Sequence, residues 1–549
     1  MHYIHNKRYY CVVPSFLEFT KGAYHLRSLL TSKEIYPTLH PHRKRFYMVA
    51  HIHTIAFEGI RTILVNVQVH ISPGKFIFSI VGLAEKAVKE SSERIRSAIA
   101  SIGLSLPYAR IIINLAPADL IKEGTHYDLP ITLAILVHMG VIPQAVVSQY
   151  LVMGELSLDG SIASVPGVLP AAVHATGCQK DFICPASNGK EARWAGDLTI
   201  LAPEHILSLL NHFKGTQILA QPTLPDTSIS ATYPDISDIK GQQIAKRGLE
   251  IAASGGHNLL MIGPPGSGKS MLASRLPGIL PPLSSKDILD VSMIASITGK
   301  LSDGTIHCAA PFRNPHHSCS MAAMVGGGRK ALPGEITLAH CGVLFLDELP
   351  EFPRPVLESL RQPLETGTVT VSRAEAHITY PAHFQLIAAM NPCRCGYLGD
   401  NTRHCAIAPR CGSDYQSKLS GPFLDRIDLQ IEVTAVTPDD LKHHGPDGES
   451  SATVLSRVTR TRQIQAQRYK DQSFLTNARA DGELLRTIAK PDAEGQALLD
   501  RAFASLGLSM RGYHRILRVA RTLADMRLDA HVRQCDIAEA LGYRRMEWR

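Results

Sequence analysis

Hydrophobic positions in the first part of the chain fall into short runs, several of period two. The runs TILVNVQVHI (62–71), KFIFSIVG (75–82), ARIIINLAP (109–117), YLVMGELSL (150–158) and DFICPA (181–186) predict strands, since side chains on an extended backbone alternate between two faces. Between them, residues 84–103 place apolar side chains at helical spacing, with Gly103 positioned to end the helix. An α/β domain over residues 48–213 follows from this pattern. Residues 214–240 turn polar and rich in Pro, Thr and Ser, which reads as a linker. A second α/β pattern fills 241–435, within which GTVTVSRAEAHITYPA (367–382) alternates like a β-hairpin. Residues 436–549 open with the loop-like HHGPDGESS (443–451) and continue as helical, Arg-rich sequence.

Length agrees with this division: 549 residues at roughly 100 to 200 per domain exclude a single compact unit. No apolar run approaches the roughly 18 residues of a membrane span, and no secretory signal opens the chain, so a cytoplasmic protein with no membrane partner is expected. The net charge of +8 is unevenly spread, because residues 1–47 hold eight Lys/Arg against two acids. The remainder is close to neutral, so any polyanion must be met locally. Residues 1–47 lack clear amphipathic periodicity. Met48 opens the patterned run MVAHIHTIAFEGI and is the expected start, leaving 1–47 as a basic arm or as sequence outside the protein proper.

The chemistry begins with GPPGSGKS (263–270), entered from the apolar HNLLMI and left through MLASRL. Strand, Gly-rich loop and helix in that order make a phosphate cradle. Gly263, Pro264, Pro265, Gly266, Ser267 and Gly268 form the loop, whose backbone N–H groups turn inward around phosphate oxygens. Lys269 reaches the β- and γ-phosphates, and the Ser270 hydroxyl binds Mg²⁺. ATP (or GTP) and Mg²⁺ are the expected cofactors. Some eighty residues on, CGVLFLDELPEF is an apolar strand ending in Asp347, assigned to Mg²⁺, and Glu348, assigned to water activation. QLIAAMN (385–391) is a further buried strand, and Asn391 at its end is placed to orient that water or sense the γ-phosphate.

These strand ends, with GPFLDRID (421–428) and LSMRGYHRILRVARTLAD (508–525), resemble AAA+ ATPases of the magnesium-chelatase-like branch, and closely the YifB/ComM family, from about Met48 to the C-terminus. The resemblance implies a P-loop AAA+ core with a C-terminal helical lid. Asn391 becomes sensor 1, Arg426 an arginine finger offered to a neighbouring subunit, and Arg511, with Arg515 as the alternative, sensor 2. A finger acting in trans implies a homo-oligomeric ring, a hexamer in this class. Residues 284–330 occupy the place of the branch's helix-2 insert and 367–382 that of a pore hairpin, which makes Lys330 and Arg373 candidates to touch a translocated polyanion. His316 and His317 are read as structural or pore-loop residues, because adjacent side chains on regular structure point apart.

Segments 114–136 and 153–177 resemble the proteolytic domain of Lon-type proteases, a ribosomal S5-type α/β fold. Its Ser–Lys dyad is missing, with Thr125, His126, Tyr127 and Asp128 around the expected serine and Leu169 in place of the lysine. The resemblance implies an inactive scaffold followed by a motor acting on single-stranded or branched DNA, as a branch-migration helicase in natural transformation. Cationic helices at 456–470 and 511–521 are compatible with that. A chelatase-type or protein-remodelling motor is the alternative, against which the Lon-like domain counts because chelatase motor subunits are expected to lack it. Finally, Cys393, Cys395, Cys405 and Cys411, spaced C-x-C-x₉-C-x₅-C, can close a tetrahedral Zn²⁺ shell, with His404 able to replace one thiolate.

Overall fold

The structure is a computed structural model and describes residues 49–224, 233–301, 304–306, 308–328, 331–372, 377–398, 405, 410–435 and 448–544. The basic arm, Met48, Lys330, Arg373 and His404 lie outside these residues. The chain divides into two compact units, one reaching to Ser228 and including Gly299–Thr305, the other built from Ile229–Thr298 and Ile306–Arg549.

In the first unit a seven-stranded mixed sheet runs in the order Ile77–Val81, Arg110–Ala116, Arg61–Ser72, Ala50–Glu58, Tyr150–Val152, Asp181–Ile183, Ile200–Leu201. Ala50–Glu58 and Arg61–Ser72 pair antiparallel, and their alternating side chains bury Ile52, Val65, Val67 and Val69. Helix Asp128–His138 is apolar almost all round and buried for most of its length, packing on these two strands. The run 150–158 is two short strands instead of one. Gly154 sits so close to Leu129 and Ile162 that a Cβ would lie 3.1 and 3.0 Å from them, and the chain leaves the sheet there. Glu155–Leu156 then pairs with Ile162–Ala163. The helix expected at 84–103 is divided into Lys86–Lys89 and Ser91–Ser101, and Gly103 adopts φ +80 just beyond it.

The second unit holds a five-stranded parallel sheet in the order Phe312–Arg313, Val343–Leu346, Gln385–Met390, Leu259–Ile262, Leu429–Glu432. LLMI, VLFL and QLIAAM are buried at every position, as strands covered on both faces must be. Parallel pairing brings the C-terminal ends of the three central strands side by side, and the candidate chemistry sits at those ends. Residues 368–372 and 377–381 form the hairpin that alternation predicted. Beyond Ser450 the described chain is mostly helical, with Ser451–Arg468, Gly482–Ile488, Ala493–Leu506, Met510–Met526 and Gln534–Gly542.

Candidate nucleotide and metal site

The loop after Leu259–Ile262 turns through Gly266 (φ +79) and Gly268 (φ +88), conformations that residues with a Cβ rarely adopt. Gly263 is required sterically, since a Cβ there would lie 2.1 Å from the Val433 carbonyl oxygen. The turn delivers Lys269 to the start of helix Lys269–Arg275. Its Nζ donates to the carbonyls of Gly263 and Pro264, both at 2.9 Å, and to Asn391 Oδ1 at 3.2 Å. Burial lowers the Lys269 pKa, opposed by the nearby Asp347 carboxylate. Asn391 reaches this position because Ile262 and Met390 are in register, with the Gly263 N–H donating to the Met390 carbonyl.

On the neighbouring strand end, Ser270 Oγ donates to Asp347 Oδ2 at 2.5 Å, and Asp347 Oδ1 accepts from the Glu348 N–H at 2.9 Å. Glu348 is half exposed and takes φ +52, turning the chain sharply out of the strand. Lys269, Ser270, Asp347, Glu348 and Asn391 are thus brought together from three strands. His317 joins them, with Nδ1 3.3 Å from Glu348 Oε2. The expectation that His316 and His317 point apart fails because the segment 314–319 is neither helix nor strand, and the two ring centroids lie 4.0 Å apart with their planes tilted by 34°. Nothing in the sequence pattern marks His317 as a neighbour of Glu348, since the contact depends on pairing of the Phe312–Arg313 and Val343–Leu346 strands.

Arg426 stands apart from this cluster. It is buried, and its guanidinium is held by the Glu365 carboxylate and by the carbonyls of Pro422 and Arg361. Arg511 is exposed at the start of its helix. Arg515 is buried, with Nε 3.4 Å from Asp428 and Nη1 3.7 Å from Asp425, and burial lowers its pKa to about 10. Of the two, Arg515 is the one packed against the GPFLDRID segment. The Arg-rich helices are less available to a polyanion than their composition suggested. Arg457 pairs with Glu250 and Glu449, Arg468 and Arg521 with Asp525, and Arg518 with Asp481, while Arg462 donates to the Ala253 carbonyl.

The four cysteine sulfurs of Cys393, Cys395, Cys405 and Cys411 lie within 4.8 Å of one another. Tetrahedral Zn²⁺ with Zn–S of about 2.3 Å separates sulfurs by about 3.8 Å, so the donor set fits such an ion. The N–H of Tyr397, followed by Cys393, lowers the Cys395 pKa to about 7. Gly396 backs directly onto the phosphate loop, where a Cβ would come 2.5 Å from Pro265 Cδ.

Residues 235–441 match the family model described as magnesium chelatase, subunit ChlI, and 448–544 match that of its C-terminal part. Residues 67–188 match one described as subunit ChlI of Mg-chelatase. Across nearly its whole described length the chain is similar to YifB of Salmonella typhimurium, 42% identical over 91% of this chain and 97% of the relative. YifB of Escherichia coli is 43% identical over 90% and 97%. Competence protein ComM of Haemophilus influenzae is 42% identical over 91% and 98%. The chain belongs to the YifB/ComM family. Membership of this magnesium-chelatase-like AAA+ family suggests ATPase activity, and the YifB/ComM chain carries the glycine loop and acidic strand end on a parallel sheet. Among the described residues of the YifB/ComM chain, no helix is long and apolar enough to cross a membrane.

Proposed function

We propose that this protein is an ATP-hydrolysing motor that assembles as a ring, with a hexamer expected, and acts on single-stranded or branched DNA as a branch-migration helicase in natural transformation. The observation that carries the motor is the convergence of Lys269, Ser270, Asp347, Glu348 and Asn391 at adjacent strand ends. The DNA step rests on similarity to a relative named competence protein ComM. A cytoplasmic location suits both DNA work and four thiols kept reduced.

The residues present fit Mg²⁺-ATP. Bound Mg²⁺ supplies charge neutralisation on the phosphates and polarises the bond to be broken. Lys269, already held among carbonyl oxygens, exchanges those partners for phosphate oxygens. Ser270 and Asp347, in hydrogen-bond contact, hold the metal side of the nucleotide. Glu348 accepts the proton of the attacking water, and Asn391 orients that water or reads the γ-phosphate as sensor 1. Arg426 is proposed to complete a neighbouring subunit's site after leaving Glu365, and the sensor 2 role is proposed for Arg511, which is exposed, with Arg515, buried against Asp425 and Asp428, as the alternative. The helices beyond 448 are read as the lid.

The first unit is proposed as a Lon-like scaffold without peptidase action. His126, among the residues around the lost serine, is buried against the Ile55 carbonyl with its pKa lowered to about 4 by burial, and Leu169 is fully buried. Neither supports a nucleophile–lysine pair. Cys393, Cys395, Cys405 and Cys411 would hold a structural Zn²⁺ that stiffens the segment between Asn391 and Arg426.

A protein-remodelling or chelatase-type motor is the second reading, favoured by the descriptions of the matching family models. ATP turnover of the purified protein, measured alone and with single-stranded, forked and four-way DNA and with unfolded protein, separates the two. Stimulation by DNA with junction movement supports the helicase; indifference to every DNA with stimulation by polypeptide supports the alternative.

A further inference from the structure

Many cations of the C-terminal helices are engaged by acids, but those at one edge of the first unit are not. Strand Ile77–Val81 is an edge of the seven-stranded sheet, paired with Arg110–Ala116, and the register sets Ile77 opposite Arg110. Just before this strand the Phe76 ring stacks on Tyr108, with centroids 6.3 Å apart and planes 25° from parallel. The Arg96 guanidinium lies over the Phe76 ring, 5.6 Å from its centroid. Leu104 and Leu106 join these groups in lining a surface cavity of about 280 Å³. Tyr108 is 83% exposed, more than any other large hydrophobic side chain among the described residues, and Ile77, Val81 and Leu83 are exposed along the same edge.

The charge around these rings is of one sign. Lys75, Arg96 and Arg110 are exposed, and among the described residues none of the three forms an ion pair. Residues 72–82 and 101–111 contain no Asp or Glu, and Glu93 is the single acid of helix Ser91–Ser101, which carries Arg96. Arg94 of that helix, by contrast, is held by Asp128. An open aromatic face beside unmatched cations is complementary to a strand of unpaired nucleotides, whose bases stack on rings while their phosphates meet positive charge. In a duplex both faces of an internal base are already covered by its neighbours, so the ring has nothing to stack on. An uncharged apolar peptide would use the rings and leave the cations without a partner.

We propose that this edge of the first unit binds single-stranded nucleic acid, with an unpaired base on the Phe76–Tyr108 platform and adjacent phosphates on Lys75, Arg96 and Arg110. The inference rests on the DNA reading above and deepens it, adding a contact outside the nucleotide-bearing unit. The test is binding of a fluorescent oligothymidylate to the full-length protein without nucleotide, read by anisotropy, beside a blunt duplex of equal length. Tyr108→Ala weakens single-strand binding about five- to 100-fold, the worth of stacking one base, and leaves duplex binding at the wild-type value. Tyr108→Phe, which keeps the ring, binds as wild type does. Lys75→Gln combined with Arg110→Gln flattens the slope of log affinity against log salt by about 1.4, the loss of two phosphate contacts. Because the Tyr108 ring is exposed, Tyr108→Ala keeps the wild-type melting temperature. Unchanged single-strand affinity in Tyr108→Ala, with the wild-type protein binding the oligonucleotide, overturns this site and leaves the DNA reading standing. No binding of any DNA by the wild-type protein overturns both. Equal losses on single strand and duplex overturn the stacking platform. Dissociation of the assembly in Tyr108→Ala, read by light scattering, overturns the site by assigning the edge to a contact between copies of the chain.

Discussion

Lys269 shows how much of the site depends on single side chains. Its ammonium is shared among two carbonyls and Asn391, so Lys269→Ala removes a charged donor without disturbing the sheet beneath. ATP affinity measured by a fluorescent analogue is expected to fall about 10- to 100-fold, the worth of a charged hydrogen bond. Glu348→Gln should retain nucleotide affinity and lose turnover by about 10²- to 10⁴-fold. Unchanged turnover in that variant refutes the assigned base. Asp428 is a second sensitive point. Burial pushes its pKa up, but His257 and Arg515 outweigh this and hold it below the usual carboxylate range. A carboxylate with a depressed folded-state pKa stabilises the fold above its unfolded pKa, and that stabilisation is lost as pH falls through the folded value. Asp428→Asn leaves the buried Arg515 with only the more distant Asp425 carboxylate, at 3.7 Å, as charge partner and should cost up to about 3 kcal/mol at neutral pH. The gap in melting temperature from wild type should narrow at acid pH. The residue types at the phosphate loop and the acidic strand end were legible in sequence because their chemistry restricts them to a fixed local order. His317 and Glu365 were not, since each meets its partner through a fold-level approach of distant segments.

At the scale of elements, period and burial agree where an element is regular and part company where a glycine interrupts it. The parallel strands read as unbroken apolar runs because both faces are covered, whereas Gly154 divides a run that periodicity alone extends to residue 158. The cysteine loop is the element on which site and support meet. Gly396 holds φ +84 against Pro265, so Gly396→Ala imposes both backbone strain and a clash. Its expected effect is weaker ATP binding with zinc content unchanged, read by calorimetry and metal analysis. Removing the proposed zinc with a chelator should lower both melting temperature and ATP affinity. A metal-free protein with unaltered ATP affinity would detach the loop from the phosphate cradle.

At the scale of the whole molecule, the proposed ring is tested through Arg426. In the single chain its charge is matched by Glu365, so service to a neighbour requires that ion pair to open. Arg426→Ala should abolish most turnover, and mixing it with Lys269→Ala subunits should restore part of it, because the second subunit contributes an intact Arg426. Absence of rescue at every mixing ratio contradicts action in trans. The sequence by itself determined the family, the phosphate loop, the acidic strand end and the cysteine quartet, because those chemistries demand particular residues at short, ordered spacings. Only the tertiary structure decided that most arginines of the C-terminal helices are engaged within their own unit, that Arg515 is buried while Arg511 is exposed, and that His317 meets Glu348. The physical reason is that charge and side-chain type are local properties of a chain, whereas the partner that neutralises or restrains each group comes from whichever distant segment the packing brings within a few ångströms.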